Sequence, residues 1–443
     1  MGSLLRWTVA CEVTLALLLA APPLPAQSPD EVVKALLQGV FVHLRDDTLV
    51  APDGASLIRS AIGAVQQALS GAAGSELPSP PVLTGREEDD LQAVAAFIQA
   101  AVRASPGRGE FVIASALRAM VRGVSDPLGA IFTPVELARY MADLRGEHGT
   151  IGVQVDVIGT AIIVVEVTDG SPAARVGIRT GDQILDVDAF PVSGRSPDYT
   201  LDLLRGRPGS AVLLGLRRTS GQEVRLSLTR EQVREIPVRA RILEPRVGYL
   251  RLLEFTERAH EDVLRWLVRL TGQGTQALVL DLRGNGGGLV DEAVNIASIF
   301  LERGIVASEE ARRGQVTLIV RPVSQRFAGP VVVLVNGGTA SASEIVAGAL
   351  QDAGGTLVGA KTFGKGTVQT IFFLQEGWGL RITTARYKTR AGRAIEGVGL
   401  TPDVAVTTSP DQVQGPSDTQ FEIARLLARR RLESTGQPAT GRP

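Results

Sequence analysis

Gly359-Ala360-Lys361-Thr362-Phe363-Gly364-Lys365 runs directly into Gly366-Thr367-Val368-Gln369-Thr370-Ile371-Phe372-Phe373. The first seven residues spell G-x-x-x-x-G-K, the phosphate-cradling loop of nucleotide-binding folds without its last position. Gly366 stands where a Ser or Thr would have to hold a metal, and a phosphate loop opens into a helix. Residues 367–373 are instead β-branched and aromatic for the most part, which predicts a strand. The segment therefore reads as a loop entering a strand, and a nucleotide-binding fold is set aside. Side chains alternate along a strand, so Lys365, Thr367 and Gln369 share one face.

Working outward, the same region repeats one pattern. Ala277–Leu282 and Val331–Val335 read as buried strands, each ending in a small-residue loop that opens a helix. The first loop is Asp281-Leu282-Arg283-Gly284-Asn285-Gly286-Gly287-Gly288, ahead of a helix at Leu289–Leu301. The second is Asn336-Gly337-Gly338-Thr339-Ala340-Ser341, ahead of a helix at Ala342–Gln351. With Gly248–Phe255, a helix at Glu257–Leu270, and the strands Thr367–Leu374 and Gly379–Tyr387, strands and helices alternate as in an α/β layered core. Ser341 sits just before a helix, where unpaired N–H groups and the positive dipole end suit an alkoxide and an oxyanion. A serine hydroxyl needs a base to become a nucleophile. Lys365 can serve once burial lowers its pKa, with Gln369 placed to hydrogen-bond its amine.

Composition narrows the chemistry. The chain has 443 residues, enough for several domains, and is 44% hydrophobic with 49 Gly and 24 Pro. A net charge of −1 gives no pervasive basic field, so nucleic acid is not expected as a partner. Cys11 is the only cysteine, and His43, His148 and His260 lie far apart without metal-ligand spacing, so no metal and no cofactor is expected. His260 falls on an amphipathic helix and reads as a half-buried structural residue rather than a base. Of 46 basic residues only four are lysines, and Lys361, Lys365 and Lys388 fall in one segment. An arginine cannot give up its proton at working pH, whereas a desolvated lysine can.

The N-terminal part divides in two. Residues 1–26 read as a secretory signal: Arg6, an apolar run from Val13 to Ala21, then Pro22-Pro23-Leu24-Pro25-Ala26. The protein is expected to be exported, to a periplasm or cell envelope, secreted, or anchored by an uncleaved signal segment. Residues 27–147 read as helical, at Asp30–Leu44, Ser56–Ser70, Glu87–Ala104, Glu110–Val124 and from the capping box Thr133-Pro134-Val135-Glu136 to about Arg145. A Pro/Gly/Ser loop, Gly71 to Gly85, separates two helical pairs. At 148–232 the period changes to that of strands, at Ile151–Val155, Ala161–Val165, Ala211–Leu216 and Val224–Leu228. Gly170-Ser171-Pro172-Ala173-Ala174, Gly177–Leu185 and a helix at Pro197–Leu204 complete a segment that resembles a PDZ domain, β-sandwich-like, in circularly permuted order. The resemblance implies that Ile151, Gly152 and Val153 capture the carboxylate of a protein or peptide C-terminus through backbone N–H groups. Thr150 stands where that family usually has Gly.

Thr339-Ala340-Ser341-Ala342-Ser343-Glu344-Ile345, Thr362-Phe363-Gly364-Lys365-Gly366-Thr367-Val368-Gln369 and Gly397-Val398-Gly399-Leu400-Thr401-Pro402-Asp403, with a PDZ-like segment ahead of them, resemble the C-terminal processing (tail-specific) serine peptidases. That resemblance implies a ClpP/crotonase-like α/β catalytic core at 233–410, with Ser341 as nucleophile and Lys365 as general base. Gln369 would orient the lysine, and the backbone N–H groups of Gly287 and Ala342 would form the oxyanion hole. The stretch Asp352–Gly359 is slightly shorter than the family's usual spacing. Ser343 is the rival nucleophile. Asp281 and Arg283 read as pins for the loop, Arg283 with substrate contact as the alternative, and Glu344 as a favourable charge at a helix N-terminus. Residues 411–443 read as a polar tail with one amphipathic helix, Thr419 to Arg431. The expected activity is that of an exported serine endopeptidase cutting proteins near their C-termini. The alternative is a catalytically silent PDZ scaffold that binds such termini. Association of copies through the helical regions, and any regulatory partner, are left open by the sequence.

Overall fold

Val331–Val335 reads Val-Val-Val-Leu-Val, and all of its side chains are buried, as are those of Ala277–Asp281 and Thr356–Gly359. Strands apolar almost from end to end belong in a parallel sheet covered on both faces. The computed structural model describes residues 28–70, 78–195, 197–408, 413 and 417–435. Among these, the parallel strands run in the order Val247–Leu252, Ala277–Asp281, Val331–Val335, Thr356–Gly359 and Val404–Ala405, with Val238–Glu244 antiparallel at the first edge. The helices Ala259–Gly272, Val290–Phe300 and Ala342–Asp352 supply the core on one face, through Val263, Leu267, Ile296, Ile345 and Val346. The expected α/β core is present.

The other face corrects the reading of the C-terminus as a tail. Helix Thr419–Thr435 buries Ala424, Ala428 and Leu432 against Tyr249, Val279, Val332, Leu334 and Val358, so it is a layer of the core. Its polar composition hides this, because two alanines and one leucine are enough to seat a helix on a flat apolar sheet. A second sheet joins Thr367–Phe373, Gly379–Thr389, Ala130–Phe132 and the hairpin Ile305–Ala311/Gly314–Ile319. The hairpin has no counterpart in the sequence reading. Its turn residues, Arg312 and Arg313, carry none of the usual Asn-Gly or Asp-Gly signal.

The chain divides into two compact units, the first spanning residues up to Phe41 and Gly54–Met120, the second the remainder. The first is helical as expected: Pro29–Asp47 as far as Phe41, Gly54–Leu69, Glu87–Arg103 and Gly109–Arg122 as far as Met120. Its core includes Leu36, Phe41, Leu57, Val65, Val94, Ile98 and Leu117. Residues 1–27, which hold the signal reading and Cys11, and residues 71–77 of the Pro/Gly/Ser loop lie outside the described residues. In the second unit, the capping box at Thr133 forms as read: Thr133 N–H donates to Glu136 and Glu136 N–H to Thr133 Oγ1.

The PDZ-like segment, also in the second unit, is an antiparallel sheet ordered Val153–Ile158, Ala161–Val167, Gln183–Val187, Ala211–Arg217, Glu223–Thr229. Helix Pro197–Leu204 places Leu201 and Leu204 in its core with Ile151, Val153 and Val155. The first strand begins at Val153 rather than Ile151, because Gly152 takes φ +78° and turns the chain before it. Among the described residues, Val153–Ile158 has a strand partner on one side only, which leaves an edge.

Candidate active site

Adjacent parallel strands deliver all three loops to one place. Ala277–Asp281, Val331–Val335 and Thr356–Gly359 are neighbours, and their carboxyl ends lead into the loops 282–289, 336–341 and 360–366. Such ends are where open α/β sheets collect their functional groups. Asn336 ties two of the loops, its Oδ1 accepting Gly284 N–H and Gly338 N–H, both at 2.9 Å. Thr339 donates its hydroxyl to Leu282 O, and Phe363 N–H donates to Thr339 O.

Ser341 occupies the turn from loop to helix. Its backbone has φ 57° and ψ −120°, a region that costs an L-residue about 1–3 kcal/mol. This resembles the strained strand-to-helix turn that presents a nucleophile above a sheet. Ser343 is fully buried and its hydroxyl donates to Asn285 O at 2.9 Å, so it anchors the glycine loop to the helix. The two serines of the motif therefore have different surroundings, and only Ser341 has the strained backbone.

Lys365 is half-buried in the loop that enters the strand Thr367–Phe373. Burial lowers its pKa from the usual lysine value and the nearby Arg381 charge lowers it further, while Glu396 opposes both. Among the described residues Lys365 Nζ has no hydrogen-bond or ion-pair partner, so no hydrogen bond joins it to Ser341 or Gln369. Gln369 Nε2 instead donates to Thr367 Oγ1 at 3.0 Å and Thr383 Oγ1 at 3.3 Å. Thr367 and Gln369 thus face the same way, as strand alternation predicts. What joins Ser341 and Lys365 is the backbone. The fully buried Glu344 accepts hydrogen bonds from Ser341 N–H and Lys365 N–H, a link that the motif gives no reason to expect.

The glycine loop lies against the serine. A Cβ on Gly287 would fall 2.8 Å from Ser341 Cβ and 3.0 Å from Ala342 N, and Gly287 has φ +107°. The expected oxyanion donors differ in state. Ala342 N–H begins the helix, where the first N–H groups lack intrahelical partners. Gly287 N–H donates to Asn285 Oδ1 at 2.9 Å. The cause is that the buried Asn285 must satisfy its own amide: Nδ2 donates to Leu252 O, and Oδ1 takes the nearest N–H. Asn285 organises the loop, a role that the sequence reading does not single out.

Arg283 is 2% exposed, which removes the substrate-contact reading. Its guanidinium grips both oxygens of Asp281, and Nη1 reaches Asp418 and Gln420 at the start of the C-terminal helix. Tyr249 OH donates to Asp281 Oδ2. Burial alone would lower the Arg283 pKa, but the Asp281 and Asp418 charges hold it above the usual value, so the loop is pinned by a paired buried charge. His260 is engaged elsewhere, with both its backbone N–H and Nδ1 on Glu292, which raises its pKa. Among the described residues no cluster of His, Cys, Asp and Glu could hold a metal ion, and no helix is long and apolar enough to cross a membrane.

The second expected site forms its own loop. Ile151 O accepts Ala173 N–H and Gly152 O accepts Thr168 N–H, so both carbonyls turn inward. A cavity beside the loop is lined by Gly152, Val153, Leu201 and Arg205 together with Leu253 and Glu254.

Residues 246–406 match the model of peptidase family S41, and residues 163–218 match that of a PDZ domain. The chain is 36% identical over 294 residues to a carboxy-terminal-processing protease of Bartonella bacilliformis, covering 64% of this chain and 68% of that one. It is 34% identical over 322 residues to a carboxyl-terminal-processing protease of Synechocystis, covering 70% and 75%. It is 37% identical over 306 residues to the chloroplastic carboxyl-terminal-processing peptidase 2 of Arabidopsis thaliana, covering 65% and 59%.

Proposed function

The chain belongs to peptidase family S41, a serine-type peptidase carrying a PDZ domain, and from that premise we propose that it is an exported endopeptidase that cuts protein substrates near their C-termini with Ser341 and Lys365. The observation that carries the reading is Ser341 itself: a strained serine at a helix start, against a glycine loop, its backbone tied to that of a lysine whose pKa burial lowers. The names of the relatives support C-terminal processing. The signal-like residues 1–26 support export. On this reading the PDZ domain spans 148–232 and the catalytic domain 233–410, with the helix Thr419–Thr435 as a further layer.

In the reaction, neutral Lys365 takes the Ser341 proton as Oγ attacks the scissile carbonyl. The oxyanion takes Ala342 N–H and a donor of the glycine loop. Gly287 N–H becomes that donor when its peptide turns from Asn285 Oδ1, a rotation that three successive glycines permit. Collapse expels the amine with the proton from Lys365, leaving an ester on Ser341. Lys365 then activates the water that hydrolyses it, and Gln369, its Nε2 held by Thr367 and Thr383, orients the amine through Oε1 once Lys365 turns to it. Gly287→Ala places a Cβ on Ser341 and on a backbone unsuited to it. We expect kcat to fall by about 100-fold or more in a folded variant, as for loss of an oxyanion donor.

The strand edge Val153–Ile158 and the loop Ile151–Val153 support capture of an extended substrate terminus, its carboxylate on the loop and its last side chain beside Leu201. The test compares one peptide as free acid and as amide. Removing the terminal charge forfeits charge-assisted hydrogen bonds of roughly 1.5 kcal/mol, so KM is expected to rise about tenfold. Equal KM for both forms would remove the PDZ domain from substrate capture.

A further inference from the structure

The Glu344 carboxylate does more than cap its helix. A glutamate in the first turn of a helix ordinarily reaches back to the N-cap N–H, and Glu344 does so, with Oε2 3.0 Å from Ser341 N. The same oxygen also accepts Lys365 N–H at 2.9 Å. Oε1 accepts Gly364 N–H at 2.8 Å and the Thr362 hydroxyl at 2.5 Å. Thr362 Oγ1 in turn accepts Leu400 N–H at 2.6 Å. Three backbone N–H groups and one hydroxyl, from two separate segments, meet one fully buried side chain. The two side-chain oxygens of Glu344 supply acceptor sites for all four at once.

We propose that Glu344 is a positioning residue for catalysis: its carboxylate fixes the backbone of Lys365 relative to that of Ser341 and so sets the distance over which the serine proton moves. The inference rests on the Ser341/Lys365 reading above. Glu344 touches neither substrate nor the reacting atoms. The nucleophile turn leaves one strand of the sheet and the lysine loop leaves the next. Lys365 Nζ has no hydrogen-bond partner of its own among the described residues, so the side chain depends on the backbone that carries it. A shift of this backbone by about 1 Å is enough to cost about 100-fold in rate.

The test is Glu344→Gln in the full chain, which keeps size and removes the charge, turning an amide NH₂ toward existing donors. The expected result is a kcat about 100-fold lower with KM within about twofold, per molecule of folded enzyme. A structural role alone would lower the folded fraction and leave kcat per folded molecule unchanged, and that outcome overturns the proposal. Should Glu344→Gln fail to fold, Thr362→Val removes one donor to Glu344, together with the acceptor of Leu400 N–H, and keeps the carboxylate. It is expected to lower kcat about fivefold with KM held, and a wild-type kcat in that variant overturns the proposal. Ser341→Ala run alongside separates the two levels. Inactive Ser341→Ala with a wild-type Glu344→Gln removes only this inference, whereas active Ser341→Ala removes the dyad beneath it.

Discussion

Ser341→Ala is expected to lower kcat by about 10⁵-fold or more, the scale seen when a nucleophile that works jointly with its base is lost. The variant should fold, because alanine is smaller, and the Ser341 N–H to Glu344 and the helix start are backbone features. Ser343→Ala is the necessary companion. It loses a buried hydrogen bond to Asn285 O, which still accepts Ala340 N–H, so it should cost about 1 kcal/mol of stability and leave most of the activity. Peptide turnover by both folded variants checks the pair. Loss confined to Ser343→Ala would reverse the assignment.

Lys365→Arg keeps the charge and is expected to be as inactive as Lys365→Ala, because a guanidinium cannot accept the serine proton near neutral pH. On the proposed mechanism the neutral amine is the active form, so kcat/KM is expected to rise with pH through the Lys365 pKa of the free enzyme. Burial and Arg381 lower that pKa from the usual lysine value, which moves the rise toward neutrality. The neighbours give signed checks. Arg381→Gln removes a repelling charge, the ammonium becomes easier to form, and the rise moves to higher pH. Glu396→Gln removes an attracting charge and moves it to lower pH. A pH–rate profile of the three enzymes reads both shifts, and an active Lys365→Arg would end the lysine-base mechanism.

Legibility in the sequence depends on whether a residue's role is local. Ser341 and Lys365 sit in a loop-to-helix and a loop-to-strand transition that sequence displays directly, and the parallel strands announce themselves by continuous valine and leucine. Glu344 reads only as a helix-end charge because its cap is local and visible, whereas its three other donors come from residues 362, 364 and 365. The family resemblance implies an oxyanion role for Gly287, but it cannot say that Asn285 Oδ1 takes its N–H. The C-terminal helix reads as a tail for a similar reason. Asp418 reaches Arg283 across the chain, and no pattern near residue 418 foretells that.

The central claim is that Ser341 is the nucleophile and that Lys365 activates it. The most direct measurement is to react the full chain with a serine-directed phosphonate across about pH 6 to 10 and locate the adduct by peptide mass mapping. A single adduct on Ser341 is predicted, forming faster as pH rises, with loss of that labelling in Lys365→Arg. An adduct on Ser343 or another serine would contradict the claim. So would an enzyme that cleaves peptide yet never carries the label on Ser341.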